Sequence, residues 1–386
     1  MISKRILIFS TAYLPYIGGA EVAIKEITDR MPDCEFDLIT AKMRGDLART
    51  EIVGTVNVHR VGVGIPFLDK LVMPFLGVFK VWKLQRKYRY DGFWCMMVTF
   101  ASGSAYIVNV FRALFGMKQI PIVLTLQEGD SEEHLKKRWG GLINLSWQSA
   151  LPRTTVLTTI STYLSERAKK VGYKGKSVII PNGVNFELFN TPVSTEALMR
   201  AKEKMGKKDG ETMLITTSRL VKKNAVADII KSLKLLPESV KLSILGVGSL
   251  ESNLKFLTRK LKLEDRIKFI GFVDHKSAPA YLQASDVFIR PSLSEGMGNS
   301  FIEAMAAKLP VIATPVGGII DFLKDEETGL FCKVNNPESI AEQVKRLMND
   351  KNLVQNLNTN AQKMIKEKYD WNLIAERMKN EVFETL

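Results

Sequence analysis

Two glutamates that bracket a glycine-rich loop late in the chain are the strongest candidates for chemistry. Glu295 lies in the loop, and Glu303 lies about one turn into a helix that is predicted to begin near Asn299. A carboxylate has two acceptor oxygens, so each glutamate can hold the vicinal hydroxyls of a sugar ring. The free N–H groups at the helix start can receive a phosphate or sugar oxygen. Paired acids also suit glycoside hydrolysis, although a hydrolase would not need the phosphate-suited motifs described next. The alternative for Glu303 is an ordinary surface residue of the helix.

A basic cluster, Arg219, Lys222 and Lys223, follows the first strand predicted in the C-terminal half. Ligands of doubly wound sheets bind at the carboxyl ends of the strands, where this cluster lies. Arginine can bind a diphosphate through two parallel N–H groups, and lysine through its point charge. The alternative interpretation is a solvated basic turn.

Two pairs of glycines follow predicted strands. Gly18 and Gly19 open the first helix, whose N-terminus offers N–H groups and a positive dipole end to an anion; the alternative is a tight turn that needs positive φ. Gly246 and Gly248 start like a dinucleotide fingerprint, but Glu251 stands where the third glycine belongs. The second pair therefore argues against a Rossmann dehydrogenase.

Polar residues also follow a strand predicted in the N-terminal half. Gln127, Glu128 and Asp130 come directly after the run that ends at Leu126. We expect them to face a cleft between the two domains, although strand exits are commonly polar for structural reasons alone.

Residues 67–90 combine an apolar stripe at helical spacing with a run of cations. Six Lys and Arg side chains, and no acid, lie between Asp69 and Asp91. This pattern suits a helix lying on an anionic membrane surface, and the alternative is a core-packing helix with a solvated basic face. Pro74 and Gly77 could kink or split such a helix. The stripe consists of Leu68, Leu71, Val72, Phe75, Val78, Phe79 and Trp82.

Short apolar runs alternate with helix-period segments along the chain, which predicts an α/β fold with parallel sheets covered by helices. The turn at residues 181–185 and the polar stretch at 190–211 mark a boundary between two doubly wound domains. We expect one domain over residues 1–185, a second over 186–368, and a C-terminal helix over 369–386 that crosses back to the first domain.

Composition bounds these interpretations. The chain has 386 residues, of which 46% are hydrophobic, so it is neither a disordered chain nor a domain too small for a core. Three scattered cysteines and three histidines indicate neither a disulfide framework nor a metal site. The net charge of +14 permits nucleic acid, an anionic membrane or a phosphorylated small molecule as partner.

Neither a secretory signal nor a membrane span is predicted. The first apolar run is only four residues long, so we expect a cytoplasmic protein, peripheral at the inner face of the cell membrane. Residues 92–111 are uncharged over about the length of a membrane span. Their polar residues instead favour a buried strand over 93–99, a turn over 101–104 and a core helix.

Taken together, the motifs resemble those of the retaining family-4 glycosyltransferases, also called glycosyl transferases group 1, which have the GT-B fold. The family pattern P-x-x-G-G-x-E matches residues 15–21, and P-N-G-V-[DN] matches 181–185. The pattern [GS]-R-L-x-x-K matches residues 218–223, and E-G-x-G-N-x-x-x-E matches 295–303. The long motif that starts at the second of these glutamates continues to residue 318, so the resemblance covers most of the chain.

The resemblance implies a site that binds a nucleoside diphosphate sugar, UDP- or GDP-linked. Arg219 and a neighbouring lysine, Lys223 or Lys222, should bind the diphosphate, which Gly18 and Gly19 should face from the first domain. Glu303 should hold the ribose hydroxyls, and Glu295 should contact the transferred sugar. The remaining donor contacts implied are Gly271, Phe272 and Val273 at the base, and Gly296, Met297, Gly298, Asn299 and Ser300 at the sugar and phosphate.

Two positions depart from the family pattern. Most relatives have glycine where an ungapped match places Asn224, and many have histidine where Gln127 stands. Glutamine can donate and accept hydrogen bonds but cannot act as a base. The family is thought to use the donor phosphate to take the acceptor proton, so we expect activity to survive, with Gln127, Glu128 or Asp130 placing the acceptor.

The sequence is therefore interpreted as that of a retaining hexosyltransferase that acts on a lipid-linked or membrane-surface acceptor. No D-x-D motif occurs, which suits a metal-independent enzyme with no tightly bound cofactor. One alternative is a GT-B sugar-nucleotide epimerase or phosphorylase. The other is a basic nucleic-acid-binding protein, although the sequence contains no recognised nucleic-acid module and we expect no such partner.

Overall fold

The computed structural model describes residues 4–98, 100–129 and 142–386. They form two compact units. The N-terminal unit is Met1–Asn182 together with Trp371–Leu386, and the C-terminal unit is Gly183–Asp370. Each has a mainly parallel sheet with helical crossovers, so the prediction of two α/β domains is confirmed.

The N-terminal unit contains an eight-stranded sheet in the order β3-β4-β2-β1-β5-β6-β7-β8. All neighbouring strands are parallel except β3 and β4. The strands are β1 (Lys4–Phe9), β2 (Cys34–Ala41), β3 (Thr50–Val53), β4 (Val56–Val61), β5 (Gly92–Met96), β6 (Ile122–Leu126), β7 (Val156–Thr159) and β8 (Lys176–Ile179). The helices are α1 (Gly19–Thr28), α2 (Pro66–Gln85), α3 (Ala101–Leu114), α4 (Leu142–Ala150) and α5 (Thr162–Lys170).

The C-terminal unit contains a six-stranded parallel sheet in the order β11-β10-β9-β12-β13-β14. The strands are β9 (Thr212–Thr217), β10 (Val240–Leu245), β11 (Ile267–Gly271), β12 (Val287–Arg290), β13 (Val311–Ala313) and β14 (Leu330–Phe331). The helices are α6 (Phe186–Asn190), α7 (Thr195–Met205), α8 (Val226–Ser232), α9 (Glu251–Lys260), α10 (Ala278–Gln283), α11 (Asn299–Ala306), α12 (Pro337–Asn349) and α13 (Lys351–Lys368).

The last helix, α14 (Trp371–Glu381), packs against α1 of the N-terminal unit. Trp371 and Phe383 are buried in the core of that unit. The ring of Phe383 lies 5.4 Å from that of Trp94 and 6.2 Å from that of Phe36. The hydrophobic effect thus attaches the end of the chain to the unit where the chain starts.

The predicted turn over residues 101–104 is wrong, because these residues form the first turn of α3. The chain reverses earlier, where Met97 and Phe100 take positive φ angles of 63° and 52°. Ser102 then donates a hydrogen bond to the Met97 carbonyl, 2.5 Å away, and closes the reversal. Thr99 lies outside the described residues.

Residues 66–85 form one continuous helix, α2, despite the proline inside it. The side that meets the sheet carries Met73, Gly77, Val81 and Leu84, all buried. Most of the predicted apolar stripe instead faces outward, so the core-packing interpretation of the stripe is wrong for most of its residues. Within the described ranges, no helix combines the length and apolarity needed to cross a membrane.

Candidate functional site

Three loops that carry candidate residues leave the same edge of the C-terminal sheet. Arg219 follows β9, Gly271 ends β11, and Glu295 follows β12. These strands are parallel and close together in the order β11-β10-β9-β12, so their carboxyl ends share one edge. Ligands of open α/β sheets bind at that edge.

Arg290, the last residue of β12, binds the carboxylate of Glu295 through Nη2. The same guanidinium donates to Ser300 Oγ at 2.8 Å and to Asn224 Oδ1 at 3.1 Å. Both members of the ion pair are about nine-tenths buried, and the guanidinium lies 5.2 Å from the ring centre of Phe301. Arg290 therefore connects the loop after β9, the loop after β12 and the first turn of α11.

Asn224 explains one departure from the family pattern. Its side-chain amide donates to the Arg219 carbonyl at 2.6 Å, while its oxygen accepts from Arg290. The positive φ angle in this turn belongs to the next residue, Ala225, at 49°. The backbone of Lys223 accepts a hydrogen bond from Leu293 N at 2.7 Å, so the loops after β9 and β12 are joined twice.

The cations after β9 differ in exposure. Arg219 and Lys222 are exposed, whereas Lys223 is half-buried. Arg219 and Lys222 can therefore reach a ligand from the surface.

Glycines shape the loop that holds Glu295 because other backbone atoms approach it closely. Gly317 has a φ of 56°, and a β-carbon there would overlap the Glu295 carbonyl oxygen. That oxygen also accepts a hydrogen bond from Gly318 N at 3.2 Å. Gly298 has a φ of 91°, and a β-carbon there would lie 2.6 Å from the Phe301 ring. The loop conformation thus depends on residues that lack a β-carbon.

Helix α11 presents Glu303 beside a residue that the sequence did not single out. The Glu303 carboxylate lies 3.4 Å from His275 Nε2, and Glu303 is the more buried of the two side chains. His275 stands in the loop after β11, close behind Gly271, Phe272 and Val273, and Phe272 is exposed. The structure therefore brings the residues predicted for the base and for the ribose onto neighbouring elements.

The Gly246 and Gly248 pair has a packing role. A β-carbon at Gly246 would overlap the Ser218 carbonyl, and one at Gly248 would lie 2.5 Å from the Leu220 carbonyl. These glycines allow the loop after β10 to lie against the loop that carries Arg219.

In the N-terminal unit, three separate motifs meet at the carboxyl edge of the sheet. The side-chain amides of Gln127 and Asn182 exchange hydrogen bonds of 3.2 and 3.4 Å. A β-carbon at Gly19 would lie 3.6 Å from Asn182 and 3.8 Å from Gln127. Gly18 has an extended φ of −147°, so the alternative that these glycines serve a positive-φ turn is wrong for it.

Glu128 holds the backbone around this edge. Its two carboxylate oxygens accept from Val98 N and Gln127 N, each at 3.1 Å. Burial raises the pKa of Glu128, although these N–H groups favour the charged form and oppose the shift. Asp130, the third residue predicted on the acceptor side, lies outside the described residues.

No described group of three or more His, Cys, Asp or Glu side chains is arranged to hold a metal ion. Cys34, Cys95 and Cys332 are free thiols.

Arg290, Asn224 and His275 were not predicted as site residues. An arginine at the end of an apolar strand is a signal that could have indicated the first of them.

Two family models match the chain. "Glycosyltransferase Family 4" matches residues 17–188, and "Glycosyl transferases group 1" matches residues 199–364. Together they cover most of both units.

Curated relatives carry glycosyltransferase descriptions. The uncharacterized glycosyltransferase MJ1607 of Methanocaldococcus jannaschii is 31% identical over 207 residues, about half of each chain. MJ1178 of the same organism is 26% identical over 96% of this chain and 95% of its own. Alpha-monoglucosyldiacylglycerol synthase of Acholeplasma laidlawii is 25% identical over 93% of this chain and 92% of its own.

Solved structures match over nearly the whole chain. Sucrose-phosphate synthase from Thermosynechococcus elongatus has a TM-score of 0.83 at 19% identity and covers 99% of both chains. Anabaena HepE in complex with UDP-glucose has a TM-score of 0.78 at 19% identity and covers 99% of this chain and 100% of its own. At these identities the likeness concerns the fold.

Proposed function

Because this chain belongs to the family-4 glycosyltransferases with the GT-B fold, we propose that it is a retaining hexosyltransferase. The donor is a UDP- or GDP-linked sugar, and the acceptor supplies a hydroxyl group. The observation that carries the proposal is the shared edge of the C-terminal sheet. There, exposed cations after β9 lie next to the buried Arg290–Glu295 pair and the start of α11.

The donor site follows from the chemistry of these groups. Arg219 and a neighbouring lysine, Lys223 or Lys222, bind the diphosphate, and the N–H groups of Gly298, Asn299 and Ser300 at the start of α11 add neutral donors. Glu303 accepts from the ribose hydroxyls, and the exposed ring of Phe272 offers a surface to the base. Glu295, held by Arg290, contacts the transferred sugar together with the backbone of Gly296 and Met297.

In the transition state, positive charge develops on the sugar and negative charge on the departing diphosphate. Preorganised cations at Arg219 and the neighbouring lysine stabilise the leaving group and take the place that a divalent ion fills in metal-dependent transferases. Gln127 positions the acceptor through its amide, which cannot take a proton. The bond between the anomeric carbon and the diphosphate oxygen breaks, and the acceptor oxygen bonds to that carbon on the same face while the departing phosphate oxygen takes the acceptor proton. Attack from the leaving-group face gives retention.

The proposed acceptor is lipid-linked or lies at a membrane surface. The cation-rich helix α2 supports this choice, because an anionic surface attracts such a segment. A full-length relative is described as a monoglucosyldiacylglycerol synthase, which is consistent with a lipid acceptor here.

A thermal-shift panel of UDP, GDP, ADP and their sugars tests the donor site. A nucleotide at 100 times its Kd stabilises the native state by about 2.7 kcal/mol, which raises the Tm by roughly 5–10 °C for a unit of this size. We expect UDP or GDP compounds to do so. If none of the nucleoside diphosphates raises the Tm, the proposed function is wrong.

Glu303→Ala should abolish or strongly reduce this Tm shift, because the ribose hydroxyls lose their acceptor. Losing a hydrogen bond to a charged group costs about 1.5–3 kcal/mol, or roughly 10- to 150-fold in Kd. Titration calorimetry measures the change. Glu342→Ala, at an exposed position of α12, is the matched control. Equal affinity of the Glu303→Ala variant and the unmodified protein would refute the ribose role.

A further inference from the structure

The outer side of α2 and α3 carries an apolar face that the proposed donor and acceptor sites do not use. Twelve of its side chains are 37–74% exposed. We call this surface the α2–α3 face; it consists of Phe67, Leu68, Leu71, Phe75, Leu76, Phe79 and Trp82 on α2, and Val110, Phe111, Leu114, Phe115 and Met117 on or just after α3.

The two helices present one continuous surface. Ser104 of α3 donates to the Met73 carbonyl of α2 at 3.1 Å, so the helices pack closely. On the outer side, the ring of Trp82 lies 5.7 Å from that of Phe111 and 5.8 Å from that of Phe79. At 3.6 residues per turn, six of the seven exposed apolar residues of α2 fall within an arc of about 120°.

This exposure is the reverse of what a helix on a sheet normally shows. A surface helix buries its apolar stripe and exposes its polar side. Here α2 buries one apolar side against the sheet and exposes a second. Contiguous exposed apolar surface of this kind marks a site of contact with a protein or a membrane.

The charges around the α2–α3 face favour a membrane over a protein as the partner. Eight cations and two acids occur in residues 66–118. Of the two acids, Asp69 is fully buried and accepts from Val63 N and Gly64 N, both at 2.7 Å, and Asp91 accepts from Arg5 N at 2.8 Å. The eight cations are Lys70, Lys80, Lys83, Arg86, Lys87, Arg89, Arg112 and Lys118.

An apolar centre with a cationic rim is complementary to a bilayer that contains anionic lipids. The apolar side chains enter the boundary between headgroups and acyl chains, and the cations meet lipid phosphates. A second copy of this chain would bring the same cations together, which opposes self-association through this face.

We propose that the α2–α3 face docks the N-terminal unit on an anionic membrane, with Phe75, Phe79 and Trp82 inserted at the headgroup boundary. The docking also orients the unit. Helix α2 follows the carboxyl end of β4, so its Phe67 end lies at the sheet edge where Gln127 and Gly19 meet. That second step rests on the proposed function, because it brings the proposed acceptor edge next to the lipid; the docking itself does not.

Flotation with phosphatidylcholine vesicles, with and without phosphatidylglycerol as the anionic lipid, tests the docking. We expect the protein to float with the anionic vesicles and not with the neutral ones. Phe75→Ser with Phe79→Ser should abolish flotation, and so should charge reversal at Lys83, Arg86 and Lys87. No flotation of the unmodified protein, or equal flotation with both vesicles, overturns the proposal.

Matched controls separate docking from general effects. Phe256 of α9 is as exposed as Phe75, at 62%, and Phe256→Ser should leave flotation unchanged. Lys204, Arg259 and Lys260 are exposed cations of the C-terminal unit, and their reversal gives the same net charge change. If this control also abolishes flotation, net charge and not the α2–α3 face determines binding.

Fluorescence locates the inserted residues. Among the described tryptophans, Trp82 is exposed, whereas Trp94, Trp147 and Trp371 are buried. Brominated lipid should quench the unmodified protein, and Trp82→Phe should lose most of that quenching. Unchanged quenching in Trp82→Phe overturns the inserted orientation.

Light scattering tests whether a second copy covers the α2–α3 face. If it shows a dimer that Phe75→Ser with Phe79→Ser converts to monomer, the occupant is a second copy and the membrane proposal is wrong.

The nucleotide-induced Tm shift distinguishes failure of the docking from failure of the proposed function. The α2–α3 variants should keep the full shift, because none of the substituted side chains is among the proposed donor contacts. A protein that shifts with UDP or GDP but does not float retains the proposed function and loses the docking. A protein that floats but shows no nucleotide-induced Tm shift retains the docking and loses the proposed function.

Discussion

At the scale of single residues, the ion pair of Arg290 and Glu295 is the central feature of the C-terminal unit. A buried carboxylate is costly unless a cation and further hydrogen bonds satisfy it. Arg290 supplies the cation, and Gly296 N adds a hydrogen bond at 3.2 Å. The pair fixes where the Glu295 carboxylate lies in the absence of a ligand, which is the preorganisation that the proposed sugar contact requires.

Replacing either partner should destabilise the C-terminal unit. Arg290→Leu leaves the buried Glu295 carboxylate without its cation and should lower the free energy of unfolding by about 3–5 kcal/mol. Because the partners interact directly, the double variant with Glu295→Gln should cost less than the sum of the single variants by about 1–3 kcal/mol. Urea unfolding of the four proteins measures this coupling. Additivity within about 0.5 kcal/mol would show that the pair is not coupled.

At the scale of elements, the loop after β12 depends on the loop after β13. Gly317, beyond β13, lies against the Glu295 carbonyl and has a positive φ. Two loops at one sheet edge thus fit together only because one of them lacks a β-carbon. The family motif that ends in two glycines has a steric reason in this contact.

Gly317→Ala should therefore lower the free energy of unfolding by more than the positive φ angle alone accounts for. An alanine at positive φ costs about 1–2 kcal/mol, and displacement of the Glu295 loop adds to this cost. Gly210→Ala is the control, since Gly210 has a φ of 79° but no atom near its missing β-carbon. Urea unfolding should give the larger loss for Gly317→Ala. Equal losses would mean that the contact does not constrain the loop.

A polar cluster joins three strands of the N-terminal sheet around Asp37 of β2. Its carboxylate accepts from Arg5 Nε at 3.0 Å and Tyr90 Oη at 2.9 Å, and lies 3.1 Å from His59 Nε2. Arg5 also pairs with Glu35. Burial opposes the charge on Asp37, but the hydrogen bonds and the charge of Arg5 outweigh it, so the pKa of Asp37 is lowered.

The lowered pKa of Asp37 predicts that the N-terminal unit loses stability in acid. Since the folded-state pKa lies below the ordinary value of about 3.9, the stabilisation is present above that pH and is lost as the pH falls through the folded-state pKa. Asp37→Asn should lower the free energy of unfolding by about 3 kcal/mol at pH 7 and flatten its loss as the pH falls below about 3.9. Urea unfolding over that range measures both effects. Asp46→Asn, at an exposed pair with Arg44, should change little; an equal effect there would contradict the role of burial.

At the scale of the molecule, each unit has its own core, and the chain leaves the first unit and returns to it. The last residues bury Trp371, Ile374, Met378 and Phe383 against α1 and the sheet of the N-terminal unit. The stability of that unit therefore depends on residues more than 360 positions from its first strand.

Phe383→Ala should destabilise the N-terminal unit alone, by about 3–5 kcal/mol, through the cavity that it leaves. Hydrogen exchange should rise in β1, β2 and β5 and stay unchanged in residues 183–370. Phe322→Ala, at a fully buried position of the other unit, should give the opposite pattern. Faster exchange in both units from Phe383→Ala would show that they unfold together.

The sequence by itself was enough to predict the alternation of strands and helices, because buried parallel strands appear as short apolar runs. It also placed Arg219, Gly271 and Glu295 at strand ends, and parallel strands bring their carboxyl ends to one edge whatever the details of packing. The family followed from the order of motifs along the chain, which is a property of the sequence.

Only the tertiary structure decided which residues touch. Arg290 meets Asn224 across 66 positions and Glu303 meets His275 across 28, and no local pattern specifies such contacts. It also decided the outward side of α2. Helical spacing identifies which residues share a side, but Phe75 and Met73 are both apolar. Contact with the sheet and with α3 buried one side and left the other exposed.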